Sequence, residues 1–351
     1  MTVPAASAPP YTGPLFVVGA PRSGSELLCA SLNRHPAICI VGETHYFADL
    51  RRRLRSGQSP LTEDEAQICR AHFADLHHRY GSSSLAGTCA ALPASTGEAS
   101  TGDAEFENFC REQARRRGKW LWGEKTPRHI FQADQILAAF PGARILVLVR
   151  DPRGVVASYR DWRNQWLFQE KVDDRLLQAS AREDRRIRAS YSLPIIALLW
   201  KSAARTARRL KARHGQSRVK ILRFEDLLDE PQVFLSRICD WLGVKFDPAM
   251  LDMMVVNSSY VAPGTRQGRD RGAIMRWRQA LSPNEIGLVE ALGGKELERF
   301  GYEATGLRGS VMFAAREIVS IPVTFMRALL ANRDRLGRIG PFLLERLKAL
   351  I

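Results

Sequence analysis

Residues 15–26 read LFVVGAPRSGSE. Leu15 to Val18 form an apolar, β-type run that stops at Gly19. A loop with Pro21, Arg22 and Gly24 follows, and Leu27, Leu28, Ala30 and Leu32 then recur at helical spacing. A strand, a glycine loop and a helix start in that order make a phosphate cradle. The first amides of a helix lack intrahelical partners, and the helix dipole favours an anion there. The nucleoside-triphosphate version of this loop ends in Gly-Lys-Ser/Thr. Here Gly24 is followed by Ser25 and Glu26, which leaves open which phosphate the loop holds.

Outward from that loop, further strand-like runs stand at 38–41 (ICIV), 144–149 (RILVLV) and 219–223 (VKILR), with helical patterns between most of them. That alternation predicts an α/β fold with a mainly parallel sheet flanked by helices. Residues 81–104, rich in Ser, Thr, Gly and Ala, read as a long loop, and the densely charged helical stretch 170–213 reads as a surface element. Residues 1–13 read as a flexible lead, 14–303 as the main domain and 304–351 as a basic amphipathic helical extension.

The 351 residues suffice for a full core, and 45% hydrophobic with 25% charged residues is ordinary for a globular chain. The net charge of +15 is not ordinary and suits a polyanionic partner or a solvated basic surface. The arginine runs lack the interleaved aromatics of a single-strand binder, so nucleic acid is not expected. The six cysteines form no CxxC pair and no metal-ligand spacing, which predicts buried free thiols and no metal. The start of the chain lacks the basic and apolar regions of a secretory signal, and no apolar run reaches spanning length. A cytoplasmic location follows as the expectation, with peripheral membrane contact or self-association through 305–351.

A second anion site follows the most apolar strand run, in RILVLVRDPRGVVASYR at 144–160. Arg150 ends that strand, where open α/β sheets bind ligands. Pro152 suits the first turn of a new helix, and Ser158 lies two turns into it. An arginine fork and a hydroxyl converging there suit a phosphate monoester. With the first loop, this suggests one ligand carrying phosphates at two places.

The two motifs together resemble those of the PAPS-dependent sulfotransferases (PAPS is 3′-phosphoadenosine 5′-phosphosulfate). GAPRSGSELLCASLNRHP is similar to that family's phosphosulfate loop and its helix, and EKTPRHIFQADQILAAFPGARILVLVRDPRGVVASYR is similar to its central block. LRFEDLLDEPQVFLSRICDWLGVKF and MRWRQALSPNEIGLVEALGGKELERFGYE follow in the family's order, so the likeness spans about 14–303. The resemblance implies a P-loop-like fold, transfer of a sulfuryl group from PAPS to an acceptor hydroxyl, and no metal. It assigns the 5′-phosphosulfate to Arg22, Ser23, Gly24, Ser25 and Glu26, and the 3′-phosphate to Arg150 and Ser158. Such a donor has no γ-phosphate, so the missing lysine is dispensable.

The pattern is similar to the branch that includes tyrosylprotein sulfotransferases, in which a glutamate follows the His-Pro. That places Glu43 as general base, with His45 as a competing base and a capping or pairing role for Glu43 as the plain alternative. His35 reads as a structural histidine at a helix end. Lys125 matches the lysine that reaches the transferring group, where a fixed cation stabilises developing charge. The flanking Trp122 and Pro127 favour a held position over a surface one. Arg276, with Ser258 or Ser259 upstream, resembles the segment that closes over the donor.

Two departures stand out. Glu26 replaces a threonine of the family's loop, and its carboxylate must turn outward or meet a basic neighbour. Phe224 replaces a common tyrosine. The rival readings are a P-loop kinase, disfavoured by the missing Lys-Ser/Thr, and a nucleotide- or lipid-binding protein that has lost its chemistry. The acceptor, whether small molecule, glycan, lipid or peptide, is not specified.

Overall fold

A computed structural model of the chain describes residue 11 and residues 13–80, 100–161, 186, 188–252 and 270–336. Five strands, β1 (Leu15–Gly19), β2 (Ile38–Val41), β3 (Leu121–Lys125), β4 (Arg144–Val149) and β5 (Val219–Arg223), form one sheet in the order β2-β3-β1-β4-β5. Every pairing is parallel, with Leu15 opposite Gly123 on one side and Arg144 on the other. This is the α/β architecture expected from the alternation of runs.

The central strands are covered on both faces, as parallel strands require. Leu15 and Val17 point with Leu146 and Leu148 towards α1 (Ser25–Arg34), while Phe16 and Val18 point with Ile145 and Val147 into a larger core. That second core is aromatic: Tyr46 stacks on Phe106 at 4.7 Å, and Phe16 meets Phe47, Phe106 and Trp122. Between β2 and β3 run α2 (Glu63–Tyr80) and α3 (Gly102–Arg116). Between β3 and β4 lies α4 (Ala133–Ala139), and α5 (Pro152–Arg160) follows β4.

Three details depart from the sequence reading. The strand β3 was not among the runs expected. Within the span read as a surface helix, residues 170–185 lie outside the described residues, but α6 (Leu193–Arg218) is a core element. It buries Ile196, Ala197, Trp200, Ala203, Ala204, Ala207 and Leu210 and keeps Arg208 and Arg209 exposed. Its apolar positions recur at three and four residues, a stripe hidden by the arginines between them. Of the loop 81–104, residues 81–99 lie outside the described residues, and α3 already begins at Gly102. Thr101 caps it, accepting from the Ala104 amide at 3.2 Å, a start signal embedded in loop-like composition.

After β5 come α7 (Phe224–Asp229), α8 (Pro231–Leu242), α9 (Pro283–Gly293) and α10 (Lys295–Arg299). The extension forms α11 (Val311–Val319) and α12 (Ile321–Leu336), divided just before Pro322 as a proline without a donor dictates. Residues 337–351 of the expected extension lie outside the described residues.

Candidate active site

The connection after β1 leads to one side of the sheet and that after β4 to the other, so their carboxyl ends form a topological switch point, where such sheets bind ligands. The loop after β1 is shaped for an anion. Arg22 (φ 67°) and Gly24 (φ 89°) both adopt left-handed backbone, which turns successive amides inward. A side chain on Gly24 would run into the Phe224 ring, so this position excludes one twice over. The first intrahelical bond of α1 is Leu28 N–H to the Gly24 carbonyl, leaving the amides of Ser25, Glu26 and Leu27 without helical partners. Ser23 is buried, and its Oγ has no hydrogen-bond partner. A buried hydroxyl without a partner is costly, and an anionic oxygen in the cradle would supply one.

The second anion motif adjoins this loop. The Arg22 guanidinium donates to Ser158 Oγ at 3.1 Å, and Arg150 Nη1 donates to the Arg22 carbonyl at 3.1 Å. Arg150 also donates to the Ala273 carbonyl at 3.2 Å and lies over the Phe224 ring at 4.7 Å. Burial lowers Arg22 to about 10, so it remains a cation at neutral pH. Trp200 donates to the Arg150 carbonyl at 2.8 Å, and Glu225 accepts the Asp151 amide at 2.9 Å and the Tyr302 hydroxyl at 2.9 Å, which fix the β4–α5 turn from behind.

At the end of β3, Lys125 is 2% exposed and stands between two carboxylates. It donates to Glu43 Oε1 at 2.9 Å and to Glu26 Oε1. Burial acts to lower its pKa, but Glu43 and Glu26 outweigh burial and hold it above the ordinary lysine value. Glu43 and Glu26 are each 31% exposed, so both reach from solvent to the buried ammonium. His45 Nε2 faces Glu43 Oε2 at 3.5 Å, while its Nδ1 accepts from Arg128 at 3.3 Å.

Behind this cluster, Glu124 is fully buried. It accepts from the Thr44 amide at 3.0 Å, the Thr44 hydroxyl at 2.9 Å, the Thr126 hydroxyl and His129 Nδ1 at 3.1 Å. His72 holds the Thr44 carbonyl at 2.8 Å. The segment carrying Glu43 is therefore tied to the strand carrying Lys125.

The profile of the Sulfotransferase family matches residues 14–248. The chain belongs to that family. A curated relative, the nodulation protein NoeE of Sinorhizobium fredii (strain NBRC 101917 / NGR234), is 22% identical over 299 residues, covering 82% of this chain. The match spans 65% of that relative's own length. Among solved structures, the sulfotransferase domain of the Synechococcus PCC 7002 olefin synthase shares the fold at 19% identity and a TM-score of 0.50, over 84% of this chain and 98% of that one. The sulfotransferase domain from the curacin biosynthetic pathway aligns over 84% of this chain and 99% of that chain, with 19% identity and a TM-score of 0.49.

In this member of the family the structure draws Arg22, Ser23, Gly24, Ser25 and Glu26 together with Arg150 and Ser158 at one end of the sheet, and Glu43 with Lys125 beside them. Arg276 lies three residues past Ala273, the partner of Arg150, and bonds Asp270. Ser258 and Ser259 lie outside the described residues. Glu26, the unusual loop residue, meets the basic neighbour that its position called for. His35 is structural: it ends α1, its Nδ1 accepts the Ala37 amide at 3.0 Å, and its Nε2 pairs with the Lys245 carbonyl at 2.9 Å. Sequence reasoning missed Glu124, Thr44, Thr126 and His129, although EKTPRH contains three of them in a motif already singled out. It also missed the role of Phe224, which closes over Gly24 and carries Arg150 on its face. Among the described residues, no helix is long and apolar enough to cross a membrane.

Proposed function

We propose that this chain transfers a sulfuryl group from PAPS to an acceptor hydroxyl, with Glu43 as base, as in the branch that resembles tyrosylprotein sulfotransferases. One arrangement carries the reading: a buried lysine faces a carboxylate beside a glycine loop whose Ser23 hydroxyl lacks a partner. PAPS, when bound, supplies a sulfuryl group whose bridging S–O bond breaks as the acceptor oxygen attacks sulfur, releasing 3′,5′-ADP. Ser23 Oγ and the first amides of α1 would hold its 5′ end, and Arg150 with Ser158 its 3′-phosphate. Lys125 stabilises the charge that gathers on the leaving phosphate oxygen and the sulfate oxygens. Glu43 takes the acceptor proton on Oε2, the oxygen not bonded to Lys125.

His45 is less suited to that task. Its Nδ1 accepts from Arg128, so the neutral ring carries its proton on Nε2, facing Glu43. It is then a donor to the base. The five described cysteines are free and buried, which fits a reducing, cytoplasmic location. A hydroxyl on a small molecule, glycan, lipid or peptide satisfies the same chemistry.

Calorimetry with 3′,5′-ADP and with ATP, followed by turnover of labelled PAPS against a panel of acceptor classes, tests the assignment. Preferential binding of 3′,5′-ADP with label transfer supports it. Preference for ATP would make the chain a kinase. Binding without transfer to any acceptor would favour a site that has lost its chemistry, a reading motivated by Glu26 on Lys125.

A further inference from the structure

Among the described residues, two that are not glycine adopt left-handed backbone: Arg22 in the loop after β1, and His45, at φ 55°. Such a conformation is costly for a residue with a side chain and persists only where its surroundings fix it. His45 leads into a π-helical turn, Tyr46–Leu50, a form that concentrates at functional sites. Its amide donates to Thr126 Oγ1 at 3.3 Å, and its carbonyl accepts the Asp49 amide at 2.9 Å. The ring is held as well. Arg128 Nε donates to Nδ1 at 3.3 Å, and the same guanidinium is paired with Asp49. The other ring nitrogen, Nε2, stands 3.5 Å from Glu43 Oε2. A row therefore runs from Asp49 through Arg128, His45 and Glu43 to Lys125, each member facing the next.

The charges along this row set the state of His45. Nδ1 accepts from Arg128 only while it carries no proton, so that contact and the guanidinium charge both oppose an imidazolium. Glu43 alone would favour one. Around the pair, Lys125 and Arg22 act on Glu43, Glu26 is engaged by Lys125, and Glu124 and His72 bond Thr44. Arg128 is thus the group that decides the balance at Nδ1. Its removal would leave the ring between Glu43 and the released Asp49 carboxylate, a setting that favours the cation.

We propose that Arg128, anchored on Asp49, is a positioning residue: it keeps His45 an uncharged donor aimed at Glu43 Oε2, and so reserves the acceptor proton for Glu43. This rests on the reading of Glu43 as base. A neutral N–H steers Oε2 without neutralising it, and a carboxylate oxygen keeps a second lone pair for the acceptor hydroxyl. An imidazolium in the same place would hold Oε2 in an ion pair and lower its basicity. The 3.5 Å separation is long for a hydrogen bond, and such contacts commonly tighten when substrate fills a site.

Nitrogen-15 spectra of the full chain labelled at its seven histidines, followed across pH without donor or acceptor, test the first half. His45→Asn identifies the His45 signal. Arg128→Met should make His45 titrate at higher pH than in the parent, and Arg128→Lys, which keeps a cationic donor, should return it towards the parent. His45 and Arg128 are each 21% exposed, so circular dichroism of the variants should be unchanged. An unmoved titration in Arg128→Met overturns the proposal, as does a parent whose neutral ring carries its proton on Nδ1. Turnover of labelled PAPS tests the second half. Arg128→Met should match the parent at about pH 8 and fall about tenfold below it at about pH 6, either side of the ordinary histidine value of about 6.5, with 3′,5′-ADP affinity unchanged. Measured against His45→Asn alone, Arg128→Met/His45→Asn should show no such acidic loss. A loss equal at every pH, or one that survives in the double variant, overturns the link to Glu43. If the parent transfers no label, the reading of Glu43 as base fails, while the spectra still decide whether Arg128 holds His45 uncharged.

Discussion

Lys125 keeps its charge at 2% exposure because two carboxylates stand against it. The two have opposite consequences for an anionic donor. Glu43 keeps Oε2 off the lysine and against His45 at 3.5 Å, whereas Glu26 rises from the loop after β1 and takes up the cation that, on the proposed reading, a sulfate would use. Glu26→Gln should therefore tighten 3′,5′-ADP by about 1 kcal/mol, roughly fivefold, the upper range for a partly exposed pair. Calorimetry that finds weaker binding would make Glu26 a donor ligand. Glu43→Gln keeps shape and removes basicity, so turnover should fall roughly 10²–10⁴-fold with 3′,5′-ADP affinity nearly intact. Near-normal turnover would move the base elsewhere, with His45 first in line. Arg150→Ala should cost 3′,5′-ADP about 1.5–3 kcal/mol, the range for hydrogen bonds to charged groups. 5′-AMP, lacking the 3′-phosphate, should lose much less, and equal losses would detach Arg150 from that phosphate.

The element on which the site turns is β3. Four strands were legible as apolar runs, because buried parallel strands announce themselves by composition. LWGEK was not, since Gly123, Glu124 and Lys125 interrupt the run while being fully or nearly fully buried. The same polarity that hid the strand equips its end for chemistry. Lys125 was readable only through its motif, and α6 was misplaced because arginines flank its apolar stripe. The partners of Glu124 come from residues 44, 126 and 129, and the link from 44 to 124 is a tertiary contact that no local spacing encodes. Burial opposes ionisation of Glu124, but His129, Thr126 and the Thr44 amide outweigh it and hold the carboxyl below its usual value. Its ionised form thus adds stability at pH above the unfolded value of about 4.3, lost as pH falls through the lower folded value. Glu124→Gln should cost about 1.5–3 kcal/mol at neutral pH and flatten the loss of stability on acidification. Denaturant midpoints across pH 3–7 (on the order of that range, where carboxylates titrate) would reveal it. Parallel curves for variant and parent would show that the Glu124 charge contributes nothing to the fold.

At the scale of the whole molecule, the question is where the catalytic unit stops. Sequence similarity suggested an end near 303, but the contacts run further. Tyr302 is buried and holds Glu225, the Thr305 amide and hydroxyl bond Glu290 at 3.0 and 3.1 Å, and the Ser310 amide bonds Asn284 at 2.8 Å. Glu290 also accepts from Arg153, the buried arginine of α5, whose guanidinium lies 4.0 Å over Trp277. Residues 302–310 therefore brace the helix that carries Ser158, whereas α11 contributes only half-buried Phe313 and Ala314 to the core. A chain ending at Ser310 should melt within a few degrees of the full protein, on the order of a 1 kcal/mol loss, and keep its affinity for 3′,5′-ADP. A chain ending at Phe300 removes a buried aromatic, which costs about 3–5 kcal/mol, and loosens the Glu225 contact behind Asp151. It should melt far lower and bind 3′,5′-ADP weakly. Thermal melts with calorimetry on the two truncations decide the boundary. If the Ser310 chain fails like the Phe300 chain, α11 and α12 belong to the catalytic unit.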